Sequence, residues 1–236
     1  MRVILILAIA VFATVSHAQE EVLVFTKTAG YRHESIETGV QALKELGEDN
    51  NFQVTQTEDA NLFNIETLKQ YGVVVFLSTT QDVLNETQEK AFKAYINNGG
   101  SFMGIHAATD TEFDWEWYGK LVGAYFVNHP RPAKAKLKVV NSSHPSTKHL
   151  SEVWEHFDEW YNFKSISSDI NVLLELDETS YRGGTNGDFH PIAWYQEFDG
   201  GRMFYTGLGH TKESYQDPTF RQHLLGGIMY CLKKKL

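Results

Sequence analysis

Gly99-Gly100-Ser101-Phe102-Met103-Gly104-Ile105-His106 decides the fold. Two glycines close a helix, a short apolar run follows as a strand, and an imidazole stands where the strand ends. The same alternation precedes it. Val73-Val74-Val75-Phe76-Leu77 reads as another strand, and Asn85 then caps a helix whose apolar positions include Ala91, Phe92, Tyr95 and Ile96. Further back, Glu21-Val22-Leu23-Val24-Phe25-Thr26 reads as the first strand. Helical spacing over residues 31–47 puts Ile36, Val40, Leu43 and Leu46 on one face, with Gly47 as the stop, and residues 52–57 alternate as a second strand. Near-continuous apolar strands separated by helices predict a parallel sheet covered on both faces and joined by right-handed crossovers.

The second half reads differently. Residues 134–140, 155–163, 172–176, 192–198 and 202–206 are predicted strands joined by short turns, with Asp199-Gly200-Gly201 as a hairpin turn. A last helix is predicted over residues 218–232. The expected fold class is α/β, a parallel sheet flanked by helices, with antiparallel strands added in the second half. A single domain is expected over residues 19–236.

Residues 1–18 read as a secretory signal: Arg2 is the positive start, Val3 to Val15 the apolar stretch, and Ser16-His17-Ala18 the cleavage site. The mature chain is expected to be exported, periplasmic or extracellular, and free of the membrane after cleavage. Composition narrows the classes. With 42% hydrophobic and 13% aromatic residues the chain can build a core, and one cysteine excludes a disulfide framework or a Cys-rich zinc module. A net charge of −9 gives no basic stripe for nucleic acid, and Lys233-Lys234-Lys235 reads as a solvated helix end.

In open α/β sheets ligands bind beyond the carboxyl ends of the strands. His33 follows the first strand, His106 the fourth with Asp110 close behind, and His210 the strand over 202–206, so these imidazoles are expected on one rim. Such groups titrate near neutral pH and suit proton transfer or metal ligation. His129 sits in Asn128-His129-Pro130-Arg131-Pro132, a rigid loop that is either a binding element or plain surface. In Asp158-Glu159-Trp160-Tyr161, strand alternation sets Asp158 and Trp160 on one face and Glu159 and Tyr161 on the other. His190 and Trp194 follow the Gly-rich segment 182–188, which lacks the spacing of a phosphate cradle and reads as a mobile loop over a site or a hairpin tip. Trp115, Trp117 and Tyr118 are either a sugar-stacking platform or core, and His144, His149, His156 and His223 read as structural or surface residues.

Gly30-Tyr31-Arg32-His33, the segment 99–106, Asp158-Glu159-Trp160-Tyr161 and the segment 201–210 together resemble the trehalose-utilisation family, the ThuA-like domain. The likeness covers nearly the whole mature chain. It implies a fold similar to class I glutamine amidotransferases, a flavodoxin-like sheet with helices on both sides. Those enzymes carry a nucleophilic Cys in Gly-x-Cys-x-Gly after a strand, where this chain reads Gly104-Ile105-His106-Ala107-Ala108. The sole cysteine, Cys231, lies in the last helix, so amidotransfer through a thiolate is not expected. The resemblance implies a small-molecule carbohydrate substrate, a sugar or keto-sugar glycoside. His106, His210 and Glu159 are then the expected catalytic acid/base groups, with Tyr31, His33, Asp110, His129, Tyr161, His190 and Trp194 binding substrate. Two other readings stand beside it. One is a metal-dependent hydrolase or isomerase in which some of His33, His106, His129 and His210 bind a divalent cation. No close-spaced ligand motif assigns such a site, and the cofactor is left open. The other is a non-catalytic sugar-binding module.

Overall fold

The computed structural model describes residues 19–234, so the signal expected over residues 1–18 lies outside the described residues. In chain order the elements are β1 (Glu20–Phe25), α1 (Ile36–Asn50), β2 (Phe52–Thr57), α2 (Ile65–Leu68), β3 (Val73–Leu77), α3 (Glu86–Asn97), β4 (Ser101–Ile105) and α4 (Glu116–Val122). There follow β5 (Tyr125–Asn128), β6 (Ala133–Val139), β7 (Val153–Asp158), β8 (Asn162–Lys164), β9 (Asn171–Asp177), β10 (Pro191–Phe198), β11 (Gly201–Thr206) and α5 (Pro218–Cys231). Among the described residues, one nine-stranded sheet has the order β2-β1-β3-β4-β11-β10-β9-β6-β7, and β5 pairs with β8 in a separate ribbon.

The first five strands of that order are parallel and carry the flavodoxin-like arrangement. From β11 outward every pairing is antiparallel. The helices α1 and α5 pack together, as do α2 and α3, and both pairs flank the sheet. Strands β3 and β4 are buried along their whole length, which is why they read as unbroken apolar runs. Phe25, Phe63, Phe76, Phe92 and Phe102 interlock as ring pairs within one core. No helix of the described residues is long and apolar enough to cross a membrane.

Local chemistry sets the ends. Asn85 accepts from the backbone of Thr87 and Gln88, and Gln88 answers the Asn85 N–H, a capping box that starts α3. Asp199 and Gly200, both at positive φ, make the two-residue turn between β10 and β11.

Three expectations need correction. The first helix begins at Ile36, not Tyr31, because residues 26–35 form a loop with bends and a turn, and Ser35 Oγ donates to Gly209 O at 3.0 Å. Gly47 does not stop it. The helix continues to Asn50 and ends at Asn51, at φ 58°, while Gly47 admits Phe52, whose carbonyl would stand 2.6 Å from a Cβ there. The strand predicted over 155–163 is two strands in two sheets. It breaks after Asp158, whose carboxylate turns to the loop beyond β11.

Candidate active site

The site lies where β1, β4 and β11 end. His106 follows β4 directly at φ 53°, a backbone region that costs a non-glycine residue about 1–2 kcal/mol. An imidazole thus stands at a sharp strand-to-turn bend. The bend is pinned by Tyr205 on β11, whose hydroxyl donates to His106 O at 2.7 Å. His106 Nδ1 lies 2.9 Å from Gly207 O. A carbonyl only accepts, so Nδ1 carries a proton and Nε2 is turned away from it. That Nε2 is 3.2 Å from His210 Nδ1 and 3.5 Å from Glu159 Oε2.

Glu159 and His210 complete the centre. Glu159 Oε2 is 3.1 Å from His210 Nδ1, and Oε1 is 2.8 Å from His129 Nδ1. Burial alone would raise the Glu159 pKa, but hydrogen bonds and charge from His106 and His210 outweigh it and bring it to about 2. Burial pulls His210 down, yet the Glu159 carboxylate holds its pKa above the ordinary histidine value. The two shifts agree that a proton belongs on His210 and not on Glu159.

His33 stands edge-on to both partners, its ring centroid 4.8 Å from His106 and 5.3 Å from His210. Burial, reinforced by His106 and His210, lowers its pKa to about 2, so it is neutral. Its Nδ1 is buried without a hydrogen-bond partner, and Nε2 has only a long contact to the Tyr161 hydroxyl at 3.5 Å. One ligand-capable atom from each of His33, His106, Glu159 and His210 falls within 4.8 Å of all the others.

Above these groups opens a cleft of about 390 Å³, walled by Tyr31, Phe126, Pro132 and Tyr161 and edged with His33, Asp110, His129, Glu159 and His210. Tyr31 is 65% exposed and so presents most of its ring to whatever enters. Burial pushes the Asp110 carboxyl up to about 6, partly opposed by the Gln81 amide. His106 is fully buried beneath the floor, behind His210 and Glu159.

Eight of the ten expected site residues therefore converge, seven lining the cleft and His106 under it. His190 and Trp194 do not line it. His190 bonds Glu178 Oε1 at 2.7 Å and Tyr161 O at 2.8 Å, bracing the cleft wall from behind. Trp194 is core, donating to Val122 O at 2.8 Å and packed on Tyr205. The Gly-rich segment is tied down, with Asn186 bonded to both N and O of Phe163. Trp115 and Trp117 pack against Phe92 and each other, while Tyr118 is buried, so the aromatic cluster is core packing and not part of the cleft. His144, His156 and His223 are buried with partners of their own. Sequence reasoning missed Phe126 in the cleft wall, whereas Pro132 reaches the wall in the same loop as His129. That a buried Asp158 would need partners was legible, but not that they would be the backbone N–H groups of Gly209 and His210.

None of the curated proteins compared matches the chain. Among solved structures, a ThuA-like protein of Bacteroides uniformis is 25% identical with a TM-score of 0.78, over 94% of this chain and 95% of the other. A ThuA-like protein of Parabacteroides merdae is 20% identical with a TM-score of 0.76, over 92% and 91%. At the level of fold alone, a GMP synthase component from Thermoplasma acidophilum is 12% identical with a TM-score of 0.56, over 92% and 96%. The family model for trehalose utilisation, ThuA, matches residues 21–231, and the chain belongs to that family.

Proposed function

We propose that this chain is an exported enzyme that processes a carbohydrate, a sugar or keto-sugar glycoside, by proton transfer at the imidazole–carboxylate cluster. The observation that carries the reading is the His210–Glu159 pair, 3.1 Å apart and facing an open cleft, with a proton resting on the imidazole. A protonated His210 can hydrogen-bond a sugar oxygen as negative charge develops on it. Glu159 balances that charge and fixes the ring. His106, its Nδ1 proton held by Gly207 O, turns Nε2 to the other side of the pair, within reach of a proton exchanged with His210. Next to a carbonyl, transfer of a C–H proton to the Glu159 carboxylate would give an enolate, and elimination from it would break the glycosidic bond as His210 gives its proton to the departing oxygen. Tyr31, Phe126 and Tyr161 offer ring faces to a pyranose, and Asp110 and His129 offer polar edges for its hydroxyls.

Glutamine amidotransfer has no support here. The bend that would carry its thiolate carries His106, and Cys231 is buried in α5 against Phe102 O, its thiol pushed up by burial. Export is supported by the composition of residues 1–18.

The test is a turnover screen of the mature protein on plain and keto-disaccharides, with Glu159→Gln and His210→Ala beside it. Product formed by the wild type and lost in both folded variants supports the reading. A ligand-dependent rise in melting temperature with no product from any substrate makes the chain a binding module instead.

A further inference from the structure

We propose that His33, His106, Glu159 and His210 hold a divalent transition-metal cation. This rests on the cleft being the reactive site and adds what polarises the substrate oxygen there.

The argument begins with a triangle. His106 Nε2, His210 Nδ1 and Glu159 Oε2 are separated by 3.1, 3.2 and 3.5 Å. Atoms placed about 2.1 Å from one tetrahedral ion stand about 3.4 Å apart, so the triangle has the edges of three ligands around a common centre. A fourth donor from His33 lies within 4.8 Å of all three. Hydrogen bonding alone satisfies this group poorly. His210 Nδ1 stands 3.2 Å from His106 Nε2 and 3.1 Å from Glu159 Oε2, and buried His33 Nδ1 has no partner.

The surroundings orient the donors as metal sites require. The Gly207 carbonyl holds the His106 Nδ1 proton and leaves Nε2 free, and His129 holds the other oxygen of Glu159. Three nitrogens and one carboxylate, with no thiolate, suit zinc, iron or manganese more than calcium or magnesium. The ligands come from residues 33, 106, 159 and 210, so no short sequence motif could announce them.

With a cation in place, His106, His210 and Glu159 become ligands. The cation occupies the position of the proton His210 offers to Glu159 and takes over polarisation of the sugar oxygen. Proton carriage then falls to His129 and Asp110, which edge the same cleft outside the triangle.

The experiment uses the mature protein stripped with a chelator, then titrated with zinc chloride or manganese chloride alone. Bound metal is measured by elemental analysis and by the shift in melting temperature. His33→Ala, His106→Ala and Glu159→Gln are run beside it, with His149→Ala as a control and circular dichroism as the check on folding. The expected result is about one equivalent and a higher melting temperature in the wild type and His149→Ala, and affinity at least tenfold weaker in the folded cluster variants. Wild-type protein that takes up no metal and shows no shift overturns the proposal. So does metal held as tightly by all three cluster variants. Turnover by the metal-free protein also overturns the cation's catalytic part while leaving the sugar-processing reading intact. Stoichiometric metal without turnover on any sugar does the reverse.

Discussion

The carboxylate of Asp158 accepts the backbone N–H of His210 at 3.0 Å, so the acid that ends β7 fixes the loop carrying an imidazole of the site. The same carboxylate accepts from Gly209 N at 2.7 Å, Ser214 Oγ at 2.9 Å and the N–H of Glu159 at 2.9 Å. Asp158 itself does not line the cleft, yet it sets the distance between Glu159 and His210. It is fully buried, and although burial opposes ionisation, His156, His106 and the Gly209 N–H hold its pKa below the usual carboxylate value.

Removing that carboxylate leaves buried N–H groups without an acceptor. Asp158→Ala is expected to destabilise the protein by about 3 kcal/mol, read from denaturant unfolding. Asp158→Asn keeps one acceptor oxygen and is expected to lose less. Equal losses in the two variants would show that the backbone bonds are not what Asp158 supplies.

Glu159 is what raises the His210 pKa, through a hydrogen bond and through its charge. In Glu159→Gln the His210 titration followed by NMR is expected to move to lower pH, and turnover to fall on the order of 100-fold or more. An unchanged His210 titration would separate the two residues and remove the basis for their pairing.

The bend at His106 allows a test that separates backbone from side chain. At φ 53° an alanine remains strained while a glycine does not. His106→Gly is therefore expected to be more stable than His106→Ala by about 1 kcal/mol, reversing the usual order of these two residues. Both variants are expected to lose turnover. An alanine variant as stable as the glycine variant would mean that the bend relaxes when the imidazole is removed.

His223 gives the acid limb of stability. It is buried between Ser146 O and Thr206 Oγ1, and burial takes its pKa to about 3. The unfolded value is about 6.5, so the folded state favours the neutral ring. Its contribution is present above about pH 6.5 and is lost as pH falls toward 3. Between pH 8 and pH 5 that loss is about 2 kcal/mol. His223→Gln cannot titrate and is expected to show a shallower drop in melting temperature over this range. Parallel curves for the two proteins would refute the assignment.

The parallel half was legible because its information is local. The apolar runs of β3 and β4 are buried on both faces, and the Asn85 cap acts on residues two and three positions away. The convergence of His33, His106 and His210 was legible too, because strand ends in such sheets share a rim. The break after Asp158 was not, since its partners Gly209 and His210 lie 51 and 52 residues on. Trp194 misled for a similar reason. Its residue type suits a sugar, but the carbonyl that claims its N–H is Val122, 72 residues earlier.

The Ser35 hydroxyl reaches Gly209 across 174 residues, and the cluster beside it draws on segments just as far apart. In folding order, then, the first parallel strands can pair well before the centre closes. His33 and His106 emerge early but meet Glu159 and His210 only when most of the chain has been made. A chain interrupted before β11 can build much of a sheet but none of the complete centre, so a chain shortened by premature termination ends as an inert fragment with no half-working site.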